Sequence, residues 1–141
     1  MTTERQRSEM AHYWWTKAED SLASARREFE AGSLSFAMNR IYYSAFYGVC
    51  AVLMDHGLLF KKHSGVRSAF HHQFIKPGKL DPKWGKLYDQ LFEDRQEGDY
   101  VVFVSFEHEY VESQLAECAQ FLAALRQLLS PLPGKLGKVQ I

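Results

Sequence analysis

The stretch SFAMNRIYYSAFYGVCAVLMD, residues 35–55, decides the fold. At 100° per residue its apolar positions do not gather into one stripe. Phe36, Tyr43, Tyr47, Cys50 and Met54 share one face, while Met38, Ile41, Val49 and Val52 lie opposite. A helix that is apolar on both sides is expected to be buried on both sides. A third side carries Ala37, Ser44, Gly48 and Ala51, small enough for another helix to come close along it despite a propensity cost of about 1 kcal/mol at Gly48. The stretch therefore predicts the central rod of a bundle. Between Ser35 and Met54 its one formal charge is Arg40, on the aromatic face between Phe36 and Tyr43. A guanidinium does not lose its proton in a protein, so the sequence poses the question of what Arg40 pairs with.

Working outward, Trp15, Ala18, Leu22, Ala25 and Phe29 recur at spacings of three and four, which predicts an amphipathic helix from about Glu9 to a stop at Gly32. Ser33 or Ser35 is placed to cap the central helix, giving a short connection and an antiparallel hairpin. After Gly57 a loop is expected, with a shorter helix starting at His63 or Ser64 and burying Val66, Ala69, Phe70 and Phe74. Pro77 and Gly78 stop it, and Asp81 followed by Pro82 signals a new helix. On that helix Trp84, Tyr88, Leu91 and Arg95 share a face, and Gly98 is expected to terminate it. Residues 99–106 read as an extended connector, because VVFV has no second run to pair with as a strand. Ser105 is expected to cap a last helix whose seam is Val111, Leu115, Cys118, Leu122, Leu125 and Leu129, ended by Pro131 and Pro133. The fold class is all-α: an antiparallel bundle of four to five helices over residues 1–130, followed by a basic tail, 131–141.

The 141 residues suffice for one core, burying roughly 70% of the unfolded chain's surface without a metal or disulfide. Lys plus Arg and Asp plus Glu are 17 each, so no whole-chain charge argues for nonspecific binding to nucleic acid or anionic membrane. Both cysteines, Cys50 and Cys118, fall inside apolar helical patterns and suit a reducing cytoplasm. No apolar run approaches the roughly 20 residues that span a bilayer, and the first residues lack the apolar core of a signal peptide, so a cytoplasmic location is expected. The six histidines show no metal-ligand spacing, and the glycine-rich, nucleotide-binding and hydrolase motifs are absent. No metal or cofactor is expected.

What remains is a polar group in FEDRQEGDY, residues 92–100, with Arg95, Asp99 and Tyr100. Two readings stand. Arg95 and Asp99 form a structural ion pair, or Arg95 binds phosphate bidentately while Asp99 orients it or accepts a proton. Arg40 is the second cation available for phosphate.

Five pieces in order, WWTKAEDSLASA, RIYYSAFYGVCAVL, KKHSGVRSAFHHQFIKPGKL, LFEDRQEGDY and CAQFLAAL, make the chain similar to the HEPN superfamily. These are small all-α domains of prokaryotic toxin–antitoxin and defence systems. The resemblance is to the branch paired with minimal nucleotidyltransferases. It implies a homodimer that brings two sites together, RNA or a nucleotide as ligand, and a nucleotidyltransferase as partner. In catalytic members an Arg-x4-6-His motif cleaves RNA without metal, and Arg95 matches its arginine. Tyr100, Val101 and Val102 occupy the positions allowed to the histidine, and His108 lies beyond them. The branch has Asp-Tyr here, matching Asp99 and Tyr100. In related toxins a tyrosine beside the motif is modified with AMP by the partner, and Tyr100 is the corresponding candidate. The resemblance thus implies an RNA-cleaving toxin or, as the alternative, a non-catalytic helical module that binds nucleotide or the nucleotidyltransferase.

Overall fold

Two long helices, α1 (Glu4–Glu30) and α2 (Leu34–Asp55), fold back on one another across a three-residue turn. The computed structural model describes residues 3–100 and 105–131, with residues 97–100 described by their backbone alone. Helix α1 starts earlier than its apolar seam does. Thr3 accepts from the backbone of Gln6 at 3.0 Å, and the Gln6 side chain accepts from the backbone of Thr3 at 2.9 Å, a reciprocal cap that periodicity alone does not register. Gly32, with φ of +80°, makes the turn. Ser33 holds the cap position of α2, but its hydroxyl makes no capping bond, and Ser35 lies inside the helix.

The small face of α2 is where the helices close. Ser44 Oγ donates to the Ala18 carbonyl of α1 at 2.8 Å, and Ala37, Ala45, Ala51 and Val52 are fully buried. A Cβ built on Gly48 would stand 2.9 Å from Leu122 Cδ2 and 3.0 Å from Leu125 Cδ1, so α5 (His108–Arg126) uses the same gap. The face opposite is less covered than its composition predicts. Phe36 is 68% exposed, and Tyr43, Tyr47 and Cys50 are half-buried, reached by single side chains such as Trp14 of α1 and Arg95 of α4.

Helix α3 (His63–Phe70) begins where expected and continues into a π-helical turn, His71–Ile75, closed by Lys76 N donating to His71 O at 2.8 Å. That turn sets the His71 ring over Gly85, where a Cβ would meet its Cε1 at 2.8 Å. Helix α4 (Pro82–Tyr100) starts at the Asp81–Pro82 signal, with Asp81 Oδ1 accepting from Lys83 N at 2.9 Å. It then runs through Gly98, which was expected to end it. One glycine costs a helix only about 1 kcal/mol, and no proline follows to remove a donor. The connector expected at 99–106 is therefore shorter: residues 99–100 are helical, 101–104 lie outside the described residues, and 105–107 are irregular. The last helix is capped by position at Glu107 rather than by Ser105, and its buried seam takes in Gln114 and Phe121 while Leu115 is only half-buried. Beyond α5, Ser130 N donates to Asp55 Oδ2 at 2.7 Å, pinning the chain to the end of α2. The expected basic tail lies outside the described residues except for Pro131. No helix among the described residues is long and apolar enough to cross a membrane.

Gly48 gives a direct measure of this packing. Gly48→Leu should lose about 1 to 3 kcal/mol or more in urea unfolding, because the side chain overfills a gap already shared by two helices. Gly48→Ala should stay within about 1 kcal/mol of wild type, since the gain in helix propensity offsets the displacement of two flexible leucine ends.

Candidate functional site

Consecutive residues on a helix diverge by 100°, so the Tyr42–Tyr43 pair of α2 divides its rings between core and surface. Tyr42 is fully buried and Tyr43 half-buried. Arg95 of α4 reaches both. Its Nη2 donates to Tyr43 Oη at 3.1 Å, and its Cζ stands 5.5 Å from the Tyr42 ring centroid and 5.4 Å from that of Tyr43. Arg40 arrives at the same ring from within α2. Its Cζ is 5.2 Å from the Tyr43 centroid, and its Nε and Nη2 donate to Asn39 Oδ1 at 3.2 and 2.8 Å. The two arginines that the sequence singled out separately thus converge on one tyrosine. Each cation–π contact contributes about 0.5–1 kcal/mol at a partly exposed site, and neither removes the positive charge.

Arg95 also borders a groove of about 370 Å³, lined with it by Phe36, Met38, Asn39, Asp94 and Phe106. The described carboxylate of this groove is Asp94, not Asp99. Asp94 is buried, with Gln90 Nε2 donating to its Oδ1 at 2.9 Å and Tyr110 Oη donating to its Oδ2. Burial, and then the bond and charge of Asp94, push the Tyr110 phenol well above its ordinary range, so it stays a donor. This carboxylate ties α4 to α5. The side chains of Asp99 and Tyr100 lie outside the described residues; along the α4 backbone, Asp99 falls one turn beyond Arg95.

The residue that sequence reasoning missed is His63, the first of α3. Its Nδ1 is 2.8 Å from Tyr42 Oη, and its ring stacks on Phe46 with centroids 4.1 Å apart at 7°. Its centroid lies 5.8 Å from the Tyr42 ring and 5.8 Å from the Tyr43 ring. Desolvation, and then the charge of Arg95, lower its pKa from 6.5. Helical periodicity offers no signal for this contact, which depends on where the start of α3 lands against the middle of α2.

A second polar group, Arg67 and His71 both bonded to Asp89 Oδ1 at 2.9 Å, joins α3 and its π turn to α4. Arg67 also covers the Phe92 ring at 4.6 Å, so this group serves packing. Among the described residues no three His, Cys, Asp or Glu side chains come together as a metal site requires.

An all-helical bundle whose central helix presents an edge-to-face tyrosine pair to two arginines defines a small helical domain with a cationic, aromatic face. A family model described as HEPN domain matches residues 11–128, and the chain belongs to that family. A UPF0332 protein of Thermotoga maritima is 39% identical over 127 residues, covering 90% of this chain and 96% of the relative. A Methanocaldococcus jannaschii protein named "Putative toxin MJ0142" is 34% identical over 80% of this chain and 77% of its own length. A second so named from that organism, MJ0605, is 29% identical over 82% and 85%.

The depressed pKa of His63 sets a pH dependence. The folded chain binds fewer protons at this ring than the unfolded chain, so its contribution is fully present above pH 6.5 and is lost as pH falls through the lower folded value. Melting temperature should therefore drop less between about pH 7 and 5 in His63→Asn than in wild type. Calorimetry of the two proteins across that range checks it.

Proposed function

We propose that this chain is the HEPN component of a toxin–antitoxin or defence module. It acts as a homodimer that binds single-stranded RNA or nucleotide phosphate through Arg40 and Arg95 and is controlled by a minimal nucleotidyltransferase. The observation that carries the reading is the convergence of both guanidiniums on Tyr43 beside an open groove. Guanidinium forks suit phosphate oxygens, and half-exposed rings next to them suit bases. The two relatives whose names contain the word toxin support the module class. The exposed Phe36 at the groove's edge supports self-association, since a second copy would cover an apolar ring left open in one. Location in the cytoplasm belongs to the same proposal, as does modification of Tyr100 by the partner.

A second reading is a non-catalytic nucleotide-binding module, favoured by Tyr100, Val101 and Val102 standing where the family motif puts its histidine. The two share a binding site and differ in cleavage. Incubation of the purified protein with labelled RNA separates them.

Arg95→Ala tests the shared part. It should leave the chain folded, with a melting temperature lowered by about 10 °C at most, because its contacts with Tyr42 and Tyr43 are cation–π stacking and one charge-assisted hydrogen bond, each contributing about 1 kcal/mol. Affinity for a fluorescent RNA oligonucleotide should fall by about ten- to hundredfold, as expected for a lost charge-assisted bond. Growth inhibition on expression should be lost with it. A variant that melts, binds and inhibits like wild type would overturn the assignment.

A further inference from the structure

His63 stands on the same two tyrosines as Arg95 and is not used by the reading above. Its Nδ1 is engaged by Tyr42, its ring is clamped on Phe46, and among the described residues no group bonds to its Nε2. The ring also forms part of the wall of a second groove, of about 230 Å³, lined with it by Trp14, Phe46, Leu59, Phe60 and Lys61. Cys50 lies in that groove too, its thiol pushed up to about 12 by burial, so it remains a protonated, apolar part of the lining. Across the molecular face the order is therefore an aromatic slot, an imidazole, the tyrosine pair and a guanidinium.

We propose that His63 makes the site selective for ribonucleotides over deoxyribonucleotides: the base stacks in the aromatic slot, the phosphate sits on Arg95, and the ribose 2′-hydroxyl bonds to Nε2 of His63. The inference rests on the phosphate role of Arg95 and names the sugar it accepts. A ribose lies between its base and its phosphate, and His63 lies between the slot and the arginine. The groups facing the imidazole are Tyr42, Tyr43 and Phe46 of α2 and Arg95 of α4, with Lys61 beside it in the groove wall. Among the described residues no acidic group faces it, and desolvation and then the charge of Arg95 lower its pKa from 6.5, so the ring is neutral at pH 7 and is not an anion site. A neutral Nε2 carries either a proton or a lone pair, according to which way the Tyr42 hydroxyl points. A hydroxyl, both donor and acceptor, satisfies either form. A deoxyribose leaves Nε2 without a partner, and sites built to bond a hydroxyl reject the analogue that lacks it.

The test is fluorescence anisotropy of the full chain at pH 7.5 with matched single-stranded RNA and DNA ten-mers of one mixed sequence. Wild type should bind the RNA about tenfold more tightly than the DNA. His63→Asn keeps an amide at the position of Nδ1 for Tyr42 and removes Nε2; it should bind both oligomers as wild type binds DNA. Equal wild-type affinities, or an undiminished preference in the variant, overturn the inference while leaving phosphate binding by Arg95 intact. Loss of both oligomers in a folded variant also overturns it, by making His63 a phosphate contact. Binding of neither oligomer by wild type removes the Arg95 reading and this inference together. Should the variant fail to fold, wild type with RNA ten-mers in which single riboses are replaced by deoxyriboses takes its place, and affinity undiminished at every position overturns the proposal.

Discussion

The close approach of α1 and α5 to the small face of α2 is the constraint on which the remaining geometry depends. At Ser44 and Gly48 the central helix has almost no side chain, so Ala18, Leu122 and Leu125 come within contact of its backbone cylinder. Two helices share that side. The other side of α2 carries tyrosine and phenylalanine instead, and α3 and α4 pack there against the Tyr42 ring while Tyr43 and Phe46 stay half-buried. The result is an asymmetric bundle with a dense side and a partly open aromatic side. The open side is where Arg40, Arg95 and His63 are found.

Burial acts on that side in a graded way. Tyr42 is fully buried, and desolvation raises its phenol well above the ordinary range, so it stays protonated as a fixed hydrogen-bonding group. Tyr43, one residue on, is half-buried and presents its ring to two cations. The pair therefore links the core to the site: one ring is held by packing, the other holds charge in place. Desolvation also keeps the His63 imidazole neutral beside Arg95, which lets a cation and a histidine share one small surface without repulsion.

The elements were largely legible in the sequence because periodicity and end signals act locally. The seam of α1, the apolar breadth of α2, and the Asp81–Pro82 restart all report on forces that reach only a turn or two. Two features of the helices did not follow from those signals. Gly98 reads as a stop by propensity, yet a cost of about 1 kcal/mol does not outweigh a helix already under way. The π turn at His71–Ile75 leaves no mark in composition, since it answers to the close seating of His71 on Gly85. The site divides the same way. Arg40 and Arg95 were legible as charges placed on aromatic stripes, where a charge needs a reason. Their meeting at Tyr43 was not, because it joins two helices that are distant in sequence.

The same distinction bears on the missing histidine of the family pattern. A motif spaced along one helix places its groups by local geometry, so a tyrosine or valine at those positions removes imidazole from that turn of the helix. Nothing in that argument removes imidazole from the site, because a side chain from another helix can reach the same volume. Here α3 begins against the tyrosines on which Arg95 rests, and its first residue is a histidine fixed by a hydrogen bond and a stacked ring. An arginine and a histidine thus border one face of the bundle although their spacing in the chain matches no motif. What a site of this kind does is decided by which atoms the packed helices leave facing it. In this chain those are the guanidiniums of Arg40 and Arg95 and a neutral imidazole at His63.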